Sequence, residues 1–238
     1  IILVWIERKV VSRFQSRIGP NRVGPFGLIQ PFADIIKLLI KEDTTPEGAD
    51  KTLYNLAPIL SMMSVLILWA VVPLAPSILG VDLNIGALYI IAAGAIGALS
   101  IIMAGWSSNN KYSLIGAFRE VAVMLSFEIP MLTVMLIPTI FTGSMGIGAI
   151  TQAQDTWFVF LAPLAAVIFL IAAIAELGRA PFDMGEAESE LISGYNIEYS
   201  GMKFGMFYAG ELLHAFTFGG FWAILFFGGY RFFGLEQV

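Results

Sequence analysis

Long apolar stretches alternate with polar loops along the chain, and their length matches that of membrane helices. A helix crosses a bilayer with roughly 20 consecutive apolar residues. Five stretches meet this length: Leu53 to Leu74, Gly86 to Gly105, Val121 to Ile140, Trp157 to Ala175 and about Phe204 to Phe227. Ile1 to Ile6 is a shorter apolar run, which we interpret as the end of a further helix. The pattern predicts an all-α fold, a polytopic transmembrane helix bundle with six spans, of which the first is trimmed.

The sequence shows no internal repeat and no domain linker. It begins within an apolar run and without Met. We therefore expect residues 1–238 to form a single membrane domain, a fragment of a longer protein that runs from the end of its first helix through its sixth.

The first loop predicts a short additional helix. Pro31 suits a first helical turn, and the helical pattern continues to about Lys41. Asp34, Lys37 and Lys41 share one face, and the rest of the helix is apolar. Because it is too short to span, we expect an amphipathic helix in the membrane interface, packed against the bundle. The Gly/Pro run at residues 19–27 predicts consecutive turns in a rigid, folded loop.

The cations of the chain predict its orientation. If the loops alternate between the two sides of the membrane, every Lys and Arg except Arg231 falls on one side. Cytoplasmic loops are the ones enriched in Lys and Arg. The N-terminus is therefore expected outside, loops one, three and five in the cytoplasm, and the chain in the cell inner membrane as a multi-pass protein.

Composition excludes several classes of function. Hydrophobic residues make up 58% of the chain and charged residues 13%, which is far from a soluble domain. A net charge of −5 gives no basic surplus for nucleic acid. With no Cys and one His, the chain has no ligands for an iron–sulfur cluster, a thiolate zinc site or a two-His haem. We expect no metal site, no bound cofactor and no catalytic residue in this chain.

An acidic run follows the fourth of these apolar stretches, Trp157 to Ala175. Six carboxylates and one arginine fall between Glu176 and Tyr199. Crowding and partial desolvation favour protonated carboxylates, so the run predicts proton exchange near neutral pH. The alternative is a solvated acidic loop. Apolar residues between the charges favour a packed loop over a solvated one.

Ionisable residues also lie inside the predicted spans. Glu120 follows Arg119 at a helix start, which favours snorkelling towards water. Glu128 lies deeper and is expected to have a functional, water-facing role. His214 lies one helical turn after Glu211, which favours a neutral histidine hydrogen-bonded to that carboxylate, without metal.

Four arginines surround the start of the Gly/Pro run: Arg8, Arg13, Arg17 and Arg22. Two interpretations stay open at this point. The run is a tight turn that caps the bundle, or its arginines form a surface for a polar or anionic partner.

Several long motifs occur in one order across nearly the whole chain. They are Glu7 to Lys9, Gln15 to Pro25, Gly27 to Leu38, Ser108 to Ala117, Ser126 to Pro130, and Pro181 to Asp183 with the acidic run through Tyr199. In these motifs the sequence closely resembles the H subunit of proton-pumping NADH:quinone oxidoreductase, respiratory complex I. Glu120 and His214 depart from the family pattern, and Ser200 to Phe204 looks bacterial or plant-like rather than animal mitochondrial.

The resemblance implies a membrane-arm subunit that forms most of the quinone-access tunnel and couples quinone reduction to proton translocation. It implies an enzyme subunit that is not catalytic alone, with quinone as substrate and with NADH, FMN and iron–sulfur clusters in partner subunits. The implied partners are other membrane-arm subunits, quinone-site peripheral-arm subunits, quinone and the lipid bilayer. The implied tunnel residues are Arg8, Arg17 and Asp34. The implied proton-coupling residues are Glu128, Glu176, Arg179, Asp183, Glu186, Glu188, Glu190 and Glu211.

Alternatives remain at this level. One is the equivalent subunit of a ferredoxin- or F420-linked dehydrogenase or of a membrane-bound hydrogenase. A different class is a stand-alone proton channel or secondary transporter, which is disfavoured because transporters usually have paired repeats with charges at the midplane. The quinone is ubiquinone, menaquinone or plastoquinone.

Overall fold

The computed structural model describes residues 2–73, 80–185 and 188–231. Throughout these ranges the regular secondary structure is helical, which confirms the all-α prediction. The helices are α1 (Ile2–Phe14), α2 (Gln30–Ile40), α3 (Lys51–Leu68), α4 (Gly86–Ser107), α5 (Lys111–Thr142), α6 (Ile147–Gln152), α7 (Phe158–Leu161), α8 (Pro163–Glu176), α9 (Glu188–Leu191) and α10 (Gly201–Phe227).

Four helices are long and apolar enough to cross a membrane: α3 with the 3₁₀ turn that extends it to Val71, and α4, α5 and α10. They correspond to four of the five predicted stretches. Leu74, the predicted end of the first of these, lies outside the described residues. The chain is therefore a membrane protein by the length and composition of these helices.

The remaining predicted stretch, Trp157 to Ala175, differs from the expectation of one continuous helix. Ala162, at φ −137° and ψ 64°, separates α7 from α8. Pro163 then occupies the first turn of α8, where a missing backbone N–H costs no hydrogen bond. The 14 residues of α8 are fewer than a single spanning helix needs.

Side-chain caps fix the starts of two of the long helices. The carboxylate of Asp50 accepts hydrogen bonds from the backbone N–H groups of Thr52 and Leu53 at the start of α3. The side chain of Asn110 accepts one from the N–H of Tyr112 at the start of α5. These bonds satisfy N–H groups that have no partner within the helix.

The core lies where α3, α4, α5, α8 and α10 pack together. Its fully buried side chains include Phe169 on α8, Phe221 on α10 and Met131 on α5. Helices α4 and α5 approach closely at Gly105, where a Cβ atom would lie 2.9 Å from the carbonyl oxygen of Ser113. Small residues at such crossings let membrane helices pack backbone to backbone.

The first loop folds as the sequence predicts. Gly24 and Gly27 have φ of 72° and 79°, in the left-handed region that favours glycine; the first precedes the 3₁₀ turn Pro25–Gly27 and the second ends it. The indole of Trp5 donates a hydrogen bond to the carbonyl of Phe26, which fixes this turn against α1. The short helix predicted from Pro31 is α2, and it packs against α10 and α1.

Candidate functional site

The start of the Gly/Pro run forms a basic cleft. The cleft has a volume of about 780 Å³ and is lined by Arg8, Arg17, Ile18, Gly19, Pro20, Asn21, Arg22 and Gln30. Nη1 of Arg8 lies 2.5 Å from Oδ2 of Asp34, and Nε2 of Gln30 donates to Oδ1 of the same carboxylate at 3.3 Å. The structure therefore brings all three predicted tunnel residues, Arg8, Arg17 and Asp34, to one place.

Arg13 does not belong to this cleft. It lies in a neighbouring groove with Trp5, Lys9, Val10 and Phe26. Of the four arginines around the Gly/Pro run, the cleft is thus lined by Arg8, Arg17 and Arg22. Arg8 and Arg13 both belong to α1, but five positions at about 100° per residue turn their side chains roughly 140° apart around the helix axis.

Arg179 connects the middle of α1 to α10. Its Nη1 lies 3.2 Å from Oε1 of Glu7, and its Nε lies 2.9 Å from Oε1 of Glu211. Glu7 precedes Arg8 in the chain, so this pair of contacts extends from the basic cleft towards the interior of the bundle. The planar guanidinium suits such a double contact because its donors point in fixed, divergent directions.

Beyond Glu211 lies a small polar cavity of about 60 Å³ between α3, α4, α5, α8 and α10. Glu120 and Glu176 are buried in it, with 7% and 6% of their surface exposed. Gly94 on α4 lies against one of them, because a Cβ atom there would be in van der Waals contact with Oε1 of Glu176, at 3.6 Å. The lining residues that carry polar side chains are Ser61, Ser64, Glu120, Glu176, Tyr195, Glu211 and His214.

The position of the Glu120 side chain differs from the prediction. Its side chain does not snorkel to water but is buried beside the backbone of Gly178 and Gly185, where a Cβ atom at either position would clash with its carboxylate. Arg119, its neighbour in sequence, points elsewhere and pairs with Glu190 at 2.6 Å. The two glycines that accommodate Glu120 come from a distant loop, so no local pattern could have identified this arrangement.

His214 also differs from the expectation. Glu211, its predicted hydrogen-bond partner, pairs with Arg179. Nε2 of the buried His214 has no hydrogen-bond partner among the described residues. Its ring packs against Phe218, with centroids 4.6 Å apart.

The predicted proton-coupling residues divide into two groups. Glu176, Arg179 and Glu211 meet at or beside the polar cavity, and Glu128 on α5 is close enough for its charge to act on Glu176. Asp183 and Glu190 lie on the exposed side of the loop. Glu186 and the side chain of Glu188 lie outside the described part of the structure. In that part, no group of three or more His, Asp or Glu residues is arranged to hold a metal ion.

Two tyrosines hold the acidic loop against the bundle, and sequence reasoning missed them. The rings of Tyr54 and Tyr199 stack with centroids 4.2 Å apart. The hydroxyl of Tyr199 donates to the carbonyl of Tyr54 at 3.2 Å and lies 3.4 Å from the hydroxyl of Ser107. Burial raises the pKa of Tyr199 to about 12, so this tyrosine stays neutral at physiological pH.

The sequence of the chain is similar to those of known proteins. A family model described as NADH dehydrogenase matches residues 1–236. The chain is 49% identical over 231 residues to the H subunit of the NADH-quinone oxidoreductase of Dehalococcoides mccartyi, an alignment that covers 97% of this chain and 65% of that protein. It is 50% identical over 228 residues to the H subunit of the Brevibacillus brevis enzyme, with 95% and 68% covered. It is 45% identical over 235 residues to NADH-quinone oxidoreductase subunit 8 of Rhodothermus marinus, with 96% and 69% covered. The chain thus spans about two thirds of the length of these relatives.

Proposed function

Because this chain belongs to the NADH dehydrogenase family, we propose that it is the quinone-tunnel and coupling part of an H subunit in the membrane arm of a proton-translocating NADH:quinone oxidoreductase. In this role the chain acts as part of an enzyme and is not catalytic alone. Quinone is its substrate, and other membrane-arm subunits and the quinone-site peripheral-arm subunits are its partners.

One observation carries the proposal: the basic cleft and the polar cavity are joined by a row of charged groups. Asp34 pairs with Arg8, Glu7 precedes Arg8 in the chain, and Arg179 bridges Glu7 to Glu211 at the cavity. The two ends suit different tasks. Arginines beside an open cleft fit a polar quinone headgroup, whereas buried carboxylates fit proton exchange.

The row of charges offers a way to transmit a charge. At an effective dielectric constant near 20, a unit charge about 8 Å away changes the energy of an ionised carboxylate by roughly 2 kcal/mol. Negative charge that develops on a quinone near Arg8 and Arg17 therefore weakens the hold of Arg8 on Asp34. It also favours proton uptake by the carboxylates at the other end of the row.

Electron transfer to the quinone needs redox groups from other chains. The sequence has no cysteine, so the thiolate ligands of iron–sulfur clusters are missing from it. In our proposal NADH, FMN and the iron–sulfur clusters belong to partner subunits. This chain contributes the tunnel wall, the positions of its arginines and the proton-exchanging carboxylates.

In the membrane we propose one domain with six spans. Helices α3, α4, α5 and α10 span singly, α7 and α8 together form the fifth span, and α1 is the end of the first. The apolar residues of α2, among them Ile36, Leu39 and Ile40, are exposed, which supports an interfacial position for this helix. We propose that the N-terminus faces the outside and that loops one, three and five are cytoplasmic, in a bacterial inner membrane.

The test is purification of the intact membrane assembly through a tag on this chain, with identification of the co-purifying subunits and assay of quinone reduction. Peripheral-arm subunits with iron–sulfur clusters and NADH-dependent quinone reduction are expected. If a hydrogenase co-purifies, or if quinone is reduced with ferredoxin or F420 but not with NADH, the chain is instead the equivalent subunit of that hydrogenase or dehydrogenase. Purification of this protein by itself with intact proton conductance would favour a channel.

A further inference from the structure

Two buried polar atoms without hydrogen-bond partners among the described residues face the same cavity. They are Nε2 of His214 and Oε2 of Glu176. Both side chains are more than nine-tenths buried. A buried polar atom that makes no hydrogen bond costs free energy, so nearly all such atoms in proteins are bonded to protein or to ordered water.

The cavity has the size and chemistry for water. Its volume of about 60 Å³ exceeds the roughly 10–15 Å³ that one buried water needs. Empty cavities in proteins are lined by apolar groups, whereas this one is lined by carboxylates, a histidine and two serines. The hydroxyl of Ser64 donates to the carbonyl of Ser61 at 2.7 Å, which leaves its lone pairs available to a water.

We propose that this cavity is an internal water site, that its water joins Nε2 of His214 to Oε2 of Glu176, and that His214 is a proton-exchanging residue of this chain. The inference rests on the proposed function only in one respect, namely that the exchanged proton takes part in proton translocation by the complex. A water accepts one hydrogen bond and donates another, so it bridges an acid and a base that do not touch.

The ionisable groups around His214 come from several elements. Carboxylates face the cavity from three helices: Glu120 on α5, Glu176 on α8 and Glu211 on α10. Arg179 pairs with Glu211, and the charge of Glu128 reaches Glu176. Helices α3 and α4 contribute Ser61, Ser64, Val65, Gly97 and Ile101, which carry no charge. A proton given up by Glu176 leaves a carboxylate that faces the same cavity as the imidazolium, and opposite charges favour each other.

The proton transfer balances without another reactant. Protonated Glu176 gives its proton to the bridging water, and the same water gives a proton to Nε2 of His214. A neutral acid and a neutral imidazole become a carboxylate and an imidazolium, and the water is regenerated. Transfer in the opposite direction restores the first state.

The test compares three variants in the assembled complex. His214→Leu removes both the hydrogen bond and the base. His214→Gln keeps a hydrogen-bonding side chain but cannot take up a proton in this pH range. Phe218→Leu is the matched control, since it changes the packing of the histidine ring and leaves Nε2 in place.

High-resolution electron cryo-microscopy of each complex is expected to show water density between His214 and Glu176 in the wild type and in Phe218→Leu. The density is expected to persist in His214→Gln and to be lost in His214→Leu. Proton translocation per electron, measured over a pH series in reconstituted vesicles, is expected to lose the same pH-dependent step in both His214 variants. Phe218→Leu is expected to keep that step.

A wild-type cavity without water density would overturn the water site. Wild-type pH profiles in both His214 variants would overturn proton exchange by His214 and leave the proposed function intact. A wild-type complex that reduces quinone without translocating protons would instead contradict the coupling part of the proposed function. The water density would still show whether the cavity holds water.

Discussion

Nε of Arg179 lies 2.9 Å from Oε1 of Glu211, although the two residues come from a loop and a helix that are well separated in sequence. The same guanidinium contacts Glu7 in the middle of α1. The arginine thus connects three segments of the chain, in the region between the basic cleft and the polar cavity. Its contacts are partly exposed, so their value lies in geometry more than in stability.

Arg179→Lys tests this geometry. A lysine keeps the charge but has one ammonium group in place of the divergent donors of a guanidinium, so it cannot maintain both contacts at once. We expect the complex to assemble, with stability changed by less than about 1 kcal/mol, while proton translocation per electron falls. Arg231→Lys, at the Asp155 pair on a different loop, is the control and is expected to keep the wild-type ratio. If Arg179→Lys and the wild type translocate the same number of protons per electron, Arg179 has no role in coupling.

Arg17→Met tests the basic cleft. Methionine preserves apolar volume and removes the charge that faces the cleft. Quinone reduction is expected to fall, while NADH oxidation with an artificial acceptor on the peripheral arm persists. Arg13→Met is a matched control, because Arg13 is a neighbouring exposed arginine outside the cleft. Loss of both activities together with the assembly would make Arg17 a structural residue.

Tyr199→Phe tests the junction of the acidic loop with the bundle. The variant keeps the stack on Tyr54 and loses the hydroxyl that donates to the Tyr54 carbonyl, at a cost of about 1 kcal/mol. In the wild type the pKa of Tyr199 is raised from 10.0 to about 12 by burial. The folded state therefore retains a proton that the unfolded chain loses, and stability should fall as pH rises from 10 to 12.

The measurement is thermal unfolding of the assembled complex over an alkaline pH series. The wild type is expected to lose stability more steeply in this range than Tyr199→Phe. Tyr112→Phe is the control, because Tyr112 is an exposed tyrosine at the start of α5. Parallel curves for the wild type and Tyr199→Phe would contradict a buried, neutral Tyr199.

Local patterns predicted the parts of this molecule that depend on neighbouring residues in the chain. Apolar length identified α3, α4, α5 and α10, and Pro31 identified α2. Hydropathy did not detect the break at Ala162, because an apolar count records composition and not backbone geometry. The site depended on distant contacts, such as Arg179 with Glu7, 172 positions apart. No periodicity encodes such a pair, and only the fold brings it together.

Orientation is testable because the chain has no cysteine. Ser193→Cys in the acidic loop and Thr156→Cys before α7 both place a thiol at an exposed position without background. With a membrane-impermeant maleimide on sealed vesicles, we expect Ser193→Cys to react from the cytoplasmic side and Thr156→Cys from the outside. The reverse pattern would overturn the orientation inferred from the distribution of lysine and arginine.

Glu128→Gln and Glu176→Gln test the carboxylates directly. Glutamine keeps the shape of each side chain and cannot ionise, so a carboxylate that exchanges protons is lost while the packing around it remains. Glu176 is buried in the polar cavity, and Glu128 acts on it through charge. We expect both variants to assemble and to lose most of their quinone-linked proton translocation in reconstituted vesicles. Glu47→Gln, at an exposed position in the first loop, should behave as the wild type. If both variants retained the wild-type proton-to-electron ratio and turnover, the carboxylates would be structural, and this chain would serve only as a wall of the quinone tunnel.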